Sequence, residues 1–381
     1  MNKKYLLIIF LIVFVFGYYL GQTEKPLLKP APSEKSEKVD MSLFWETWDL
    51  IKEKYVEQVN DQDLIYGAIK GMVSGLKDPY SVFMTPEENK QFMQDMQGSF
   101  EGIGAEIGIR DGVLTIIAPL EGTPAEEAGL KAGDKVIKVD DKLTAEMTLD
   151  QAVRLIRGPK GTTVALTVLR NGETQEIKII RNQIDIKSVK LEQKENNIAY
   201  IDINGFLQDT SREFTIASAQ VLILKPKGII LDLRNNPGGY LDQAVEVTGW
   251  FVDKGEVVAI EEFGNGERTE HKAFGNASLK NYPLVVLVNQ GSASGSEILA
   301  GALRDLRSIK LIGEKTFGKG SVQELENLEN KSSLRITIAK WLTPDGYSIH
   351  EKGLEPDIAV SDDPKTEDID EQLEEAMKIL K

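Results

Sequence analysis

The chain has 381 residues, 41% of them apolar and 28% charged, which leaves room for two or more domains with cores of their own. A formal net charge of −15 and an isoelectric point near 4.9 argue against nucleic acid as a partner. With no cysteine and only two histidines, His271 and His350, a disulfide framework, a thiol nucleophile and thiolate metal sites are excluded, and a multi-histidine metal site is hard to build. No metal or cofactor is therefore expected, and chemistry must rest on Ser, Lys, Gln, carboxylates and backbone groups.

Lys3 and Lys4 precede an apolar run over residues 5–20, YLLIIFLIVFVFGYYL, short for a bilayer span and long for a secretory apolar core. Tyr18 and Tyr19 sit where an interfacial aromatic belt would lie, and no small-x-small cleavage site follows. The expectation is an uncleaved signal anchor over 1–20, a single pass of the cell membrane with the N-terminus cytoplasmic and the body outside. A cleaved, secreted form is the alternative. Residues 21–40, with Pro26, Pro30, Pro32 and mixed charge, read as a tether.

Residues 41–97 read as a helical region. Apolar residues recur at helical spacing through 41–59 and 61–76, and a third helix is expected at 85–96, with Thr85 as cap, Pro86 at its first position and Glu88 at its third. Such an arm either completes a core or pairs with a second copy of the chain.

From about Phe100 the texture changes to short strands and turns. GIGAEIGI (102–109) leads into an alternating strand, LDQAVRLIRG (149–158) is an amphipathic helix, and TVALTVLRNGETQEIKIIR (163–181) is a hairpin turning at Asn171-Gly172. Together with the run A-x-x-A-G-L-x-x-G-D-x-V from Ala125 to Val136, residues 98–182 resemble a PDZ domain. The resemblance implies that a peptide C-terminus adds as a strand beside 105–110, against the helix, with its carboxylate on the backbone amides of Gly102, Ile103, Gly104 and Ala105. Arg154 and Arg157 either steer that carboxylate, touch another domain or stand in solvent.

Residues 183–365 alternate strands and helices, an α/β pattern, and a last helix is expected at 366–381. The strand in KGIILDLRNNPGGY (227–240) ends at glycines that let backbone N–H groups face a ligand. PLVVLVN (283–289) then runs into Ser292, Ser294 and Ser296 before an amphipathic helix. A strand that hands a serine to the first turn of a helix presents a nucleophile well. Ser294-Gly-Ser-Glu297 is also a capping-box pattern, and a serine there leaves the Gly295 N–H free to face a developing oxyanion. The base is expected to be Lys319, flanked by Gly318 and Gly320, rather than His271 or His350, which are expected to face solvent; Lys315, in the charged pair Glu314-Lys315, is a competitor. A neutral Lys319 requires its pKa to fall from about 10.4 towards about 7–8, roughly 4 kcal/mol, which only a committed site tolerates. Gln323 is placed to hold the lysine in line.

VNQGSASGSEILAGAL, GEKTFGKGSVQ, LDLRNNPGG, TPDGYSIHEKGLEPDI and, earlier, DPYSVFMTPEE resemble the C-terminal processing peptidases, or tail-specific proteases, over about 41–360. The resemblance implies an α/β (α+β) multidomain protein with a ClpP/crotonase-like serine-protease core. It also implies Ser294 as nucleophile, Lys319 as general base, Gln323 as the orienting group, and the amides of Gly295 and Gly239 as oxyanion donors. Gly295 stands where the family often has alanine. Substrates are expected to be proteins with apolar C-terminal tails, read by the PDZ module, which also gates the site; a homodimer through the N-terminal helices is expected too. The competing readings are a catalytically inactive, membrane-tethered peptide-binding scaffold and, more distantly, a small-ligand-binding protein.

Overall fold

The computed structural model describes residues 39–361 and 369–381, except Asp111, Glu121 and Ile186. The apolar run at 5–20 lies outside them, and among the described residues no helix is long and apolar enough to cross a membrane. The chain divides into two units, Met1–Ile65 and Tyr66–Lys381. In the first, the arm helix runs Ser42–Lys54, shorter than the periodic stretch, and Tyr55 leaves it in extended backbone at φ −68°, ψ 137°. Phe44, Trp45 and Trp48 cluster with ring centroids 5.0 to 6.3 Å apart, while Leu43 and Trp45 remain exposed.

The second unit is built on a six-stranded sheet in the order Val189–Lys194, Ile198–Ile203, Gly228–Asp232, Leu284–Val288, Lys310–Gly313, Ile358–Ala359. The first pair is antiparallel and every later pair parallel. GIILD and LVVLV are buried at every residue because both faces of these parallel strands are covered. Strand alternation sorts them: Ile229, Leu231, Val286 and Val288 join the layer containing Phe214, Phe251, Ile298 and Leu299, whereas Ile230, Val285 and Leu287 join Ala376 and Leu380 at the C-terminal helix Glu371–Ile379. Arg234 fastens that helix, with one fork on Asp232 and the other on Asp370, its N-cap, at 2.6 and 2.8 Å.

A second, antiparallel sheet is organised by the long strand Ser333–Leu342. Ser321–Asn327 pairs along one side of it, and Val82–Met84 followed by Val257–Phe263 along the other. The helix expected at 85–96 is present as Pro86–Met96, with Thr85 and Glu88 in reciprocal capping bonds.

The chain enters and leaves the strand-rich module through paired strands, Ser99–Gly102 and Asn182–Asp185. Between them lie the sheet Ala105–Arg110, Val113–Pro119, Lys135–Val139, Thr163–Arg170, Glu173–Ile180 and the helix Leu149–Ile156. The signature run has a plain physical reading here. Ala125, Leu130 and Val136 are core residues, Gly129 and Gly133 take φ of +80° and +85°, and Asp134 receives both prongs of Arg170 at 2.6 Å. The hairpin turn places Asn171 and Gly172 at φ +51° and +86°, the left-handed pair that a two-residue turn needs.

Candidate active site

The three serines are separated by what their hydroxyls already do. Ser292 is fully buried, donating to the Leu233 carbonyl at 2.8 Å and accepting from the Asn289 N–H at 2.9 Å. Ser296 is equally buried and donates to the Asn236 carbonyl at 2.9 Å. Ser294 alone of the three lines an open cleft of about 740 Å³, together with Gly238, Gly239, Gly295, Lys319 and Gln323. Its backbone sits at φ 53°, ψ −112°, a strained conformation for a residue with a side chain, at the start of the helix Gly295–Arg307. The Ala293 N–H bond to the Asn236 carbonyl, at 3.0 Å, helps hold the turn in place.

Glu297 holds the turn from inside. Its carboxylate is inaccessible to solvent and receives four donors: the N–H groups of Ser294 at 2.9 Å, Gly318 at 2.8 Å and Lys319 at 2.9 Å, and the Thr316 hydroxyl at 2.6 Å. One buried side chain thus joins the serine turn to the lysine loop. Burial pushes its carboxyl above the usual range, and the four hydrogen bonds pull the other way. The sequence pattern assigned Glu297 a local capping role; its hold on the loop 19 to 22 residues away is what sequence reasoning missed.

The glycines around Lys319 answer to packing. A Cβ on Gly320 would fall 2.1 Å from the His350 nitrogen, and Gly318 takes φ +89° with its Cβ position 3.0 Å from the Gly353 nitrogen. The Lys319 side chain reaches the cleft with Nζ 5.4 Å from the centre of the Tyr80 ring. Burial lowers its pKa below the ordinary lysine value, the Arg335 guanidinium acts in the same direction, and Glu297 and Asp78 oppose them. Lys315 points elsewhere, exposed and ion-paired with Glu355 at 2.7 Å.

Gln323 shares the cleft, but its amide nitrogen is directed to Ser321 at 2.8 Å and Thr337 at 3.3 Å rather than to Lys319. The histidines depart from expectation, since both are partly buried rather than solvent-facing. His271 bonds Glu261 at 2.9 Å and meets the Trp341 ring edge-on at 5.6 Å, because its strand Arg268–Lys272 pairs with Val257–Phe263 behind the cleft wall. His350 is drawn in by the close approach of its backbone to Gly320.

Phe206 positions the two glycine turns beside Ser294. Its N–H donates to the Gly238 carbonyl at 2.8 Å and its carbonyl accepts the Tyr240 N–H at 2.7 Å, a parallel bridge that turns the Gly239 N–H away from Phe206. The Gly238 Cα lies against the serine turn, where a Cβ would be 2.7 Å from Ser294 Cβ and 2.8 Å from the Gly295 nitrogen. Glycine at 295 fits the same partner: an alanine Cβ would meet Phe206 Cδ2 at 2.8 Å. A hydroxyl on a strained turn, an amine whose pKa burial lowers and two glycine amides at adjoining turns are groups that acyl transfer through a covalent intermediate can use. Among the described residues no cluster of His, Asp and Glu is arranged to hold a metal ion.

In the strand-rich module, the Ile103 carbonyl accepts the Ala125 N–H at 2.8 Å and the Gly104 carbonyl accepts the Leu120 N–H at 2.9 Å. Trans peptides then point the N–H groups of Gly104 and Ala105 away from that segment. Ile103 itself is a core residue. Arg157 is engaged within the chain: it stacks on Phe100 at 4.6 Å and ion-pairs at 2.7 Å with Asp95, which lines the same cleft as Ser294.

Comparisons with known proteins place segments of the chain in known families. The profile of peptidase family S41 matches residues 197–360, that of the activating protease CtpB N-terminal domain matches 17–88, and that of the PDZ domain matches 115–170. The carboxy-terminal processing protease CtpA of Bacillus subtilis (strain 168) is 43% identical over 312 residues, covering 82% of this chain and 67% of that protein. A probable CtpA-like serine protease of Staphylococcus haemolyticus is 40% identical over 357 residues, 93% of this chain and 72% of the other. Among solved structures, the photosystem II D1 C-terminal processing protease superposes with a TM-score of 0.58 at 28% identity, over 89% of this chain and 96% of that one.

Proposed function

Because the chain belongs to the carboxy-terminal processing serine proteases of peptidase family S41, we propose that it cleaves proteins with apolar C-terminal tails through a Ser294–Lys319 dyad. The observation that carries this reading is the buried Glu297 carboxylate, which binds Ser294 and Lys319 backbones at once and so brings the two into one cleft. Neutral Lys319 takes the Ser294 proton as the hydroxyl attacks the scissile carbonyl. The oxyanion forms toward the Gly295 and Gly239 amides, the leaving amine takes the proton back, and water hydrolyses the acyl-enzyme. Gln323 orients the lysine once substrate is bound, exchanging its present partners. The PDZ domain reads the tail through the amides near Gly104 and gates the cleft through the Arg157–Asp95 contact.

The test is cleavage of a peptide with an apolar C-terminus by the full chain. Ser294→Ala and Lys319→Ala are each expected to abolish the cut, and parental rates in either variant would remove the dyad. Amidating the peptide is expected to weaken its binding to the Ser294→Ala chain about tenfold or more, since it deletes a charge-assisted hydrogen-bonding group; equal affinity would count against tail reading. In the same reading the run at 5–20 anchors the chain with its body outside the cytoplasm. Exposed Leu43 and Trp45 serve pairing with a second copy; sedimentation as a monomer in detergent would remove that pairing.

A further inference from the structure

One charged group in the cleft touches no substrate group in this mechanism and acts in it only through its field on Lys319. Arg335 lines the same cavity as Ser294 and Lys319, and its strand is gripped on both sides, opposite Val82 and opposite Leu325, so the side chain starts from a rigid base. Its Nε donates to the Tyr80 carbonyl at 3.2 Å and its guanidinium lies 5.6 Å from the centre of the Phe92 ring. These contacts use one nitrogen and one face. The two terminal nitrogens bond no protein atom, and no carboxylate lies within ion-pairing distance of Arg335, among the described residues. The neighbouring carboxylate, Asp78, already spends its oxygens on the Tyr80 N–H at 3.0 Å and the Ser81 hydroxyl at 2.6 Å. Burial works against the Arg335 charge and only the field of Asp78 supports it. An unpaired arginine kept partly out of water is unfavourable on its own, and a planar fork with free donors is shaped for a carboxylate.

We propose that Arg335 is a specificity-determining residue that binds a carboxylate of the substrate inside the catalytic cleft, either an acidic side chain near the scissile bond or the chain terminus itself. The proposal rests on the protease reading. A second carboxylate contact, separate from the PDZ amides, selects substrates whose negative charge falls at a fixed distance from the cut.

The test is a binding cycle on the full chain carrying Ser294→Ala, which cannot turn substrate over. The probes are apolar-tailed peptides with a single Glu stepped along the sequence, each paired with its Gln twin, and each made as free acid and as amide. Affinities are measured with Arg335 present and with Arg335→Gln. Removing one particular carboxylate is expected to weaken binding about tenfold to hundredfold more when Arg335 is present than in Arg335→Gln, where a Glu costs nothing and the terminus costs only its PDZ share. The PDZ contribution is common to both backgrounds and cancels. If the sensitive position is a Glu, the ligand is a side chain; if it is the amide, the ligand is the terminus. If every carboxylate removal costs the same factor in both backgrounds, Arg335 binds none and the proposal falls. Arg335→Lys, which keeps charge without the fork, is expected to restore only part of the effect. Should the parent chain cut no peptide, the protease reading fails separately, while the cycle still reports on Arg335.

Discussion

Lys319→Met is expected to lower kcat/KM toward a cleavable peptide by about two to four orders of magnitude, the usual share of a general base, with unfolding in urea unchanged. The fold is spared because what Lys319 gives Glu297 is its backbone N–H, which any residue except proline supplies. Lys319→Arg is expected to fail as well, since a guanidinium does not give up its proton at working pH. The sign of the pH dependence follows from the same chemistry. The base is the neutral amine, so kcat/KM climbs as pH rises through the Lys319 pKa. Burial and Arg335 depress that pKa, which moves the rising limb below the range of an ordinary lysine. Removing the Arg335 charge moves the limb back toward higher pH. A pH profile of kcat/KM for the parent and Arg335→Gln reads both shifts, and a limb that stays put in the variant would detach Arg335 from Lys319.

Glu297→Ala is expected to be the most destabilising substitution in the cleft. It strips the acceptor from three backbone N–H groups and the Thr316 hydroxyl. Buried polar groups left without partners cost about 1–3 kcal/mol apiece before relaxation, which suggests a net loss of about 3–5 kcal/mol. Glu297→Gln is also expected to fall short. Oε1 serves Thr316 and Gly318 while Oε2 serves Ser294 and Lys319, so an amide NH2 must face at least one backbone N–H whichever way it turns, that of Gly318 on one side or those of Ser294 and Lys319 on the other. Both variants should lose activity, because the serine turn and the lysine loop are no longer joined. Denaturant unfolding measured beside kcat checks this; a Glu297→Gln chain with parental stability and turnover would show that the four bonds do not position the dyad.

How much of this was legible in the sequence depends on how local each constraint is. Ser294 and Lys319 stand out because strand, turn and glycine neighbours mark them within a few residues. The hairpin at Asn171-Gly172 and the capping box at Thr85 are legible for the same reason. Glu297 was half legible: its bond to the Ser294 N–H lies within the capping pattern, but its hold on Thr316, Gly318 and Lys319 exists only once two parallel strands lie side by side. Arg335 was invisible. Its place depends on a strand pairing with residues 82–84, more than two hundred positions earlier. The histidines misled for a related reason, since a polar run such as ERTEHKAF looks solvated until strand pairing sets His271 beside Glu261 and Trp341.

The dyad itself is tested most directly by trapping the acyl-enzyme. A slowly hydrolysed peptide ester is mixed with the full chain, quenched in acid within the first turnover, digested and mapped by mass spectrometry. The expected result is a single acyl adduct on the fragment containing Ser294, forming faster as pH rises and absent from Lys319→Met on the same timescale. An adduct on another residue, or one that accumulates on Ser294 equally fast without Lys319, would contradict the account.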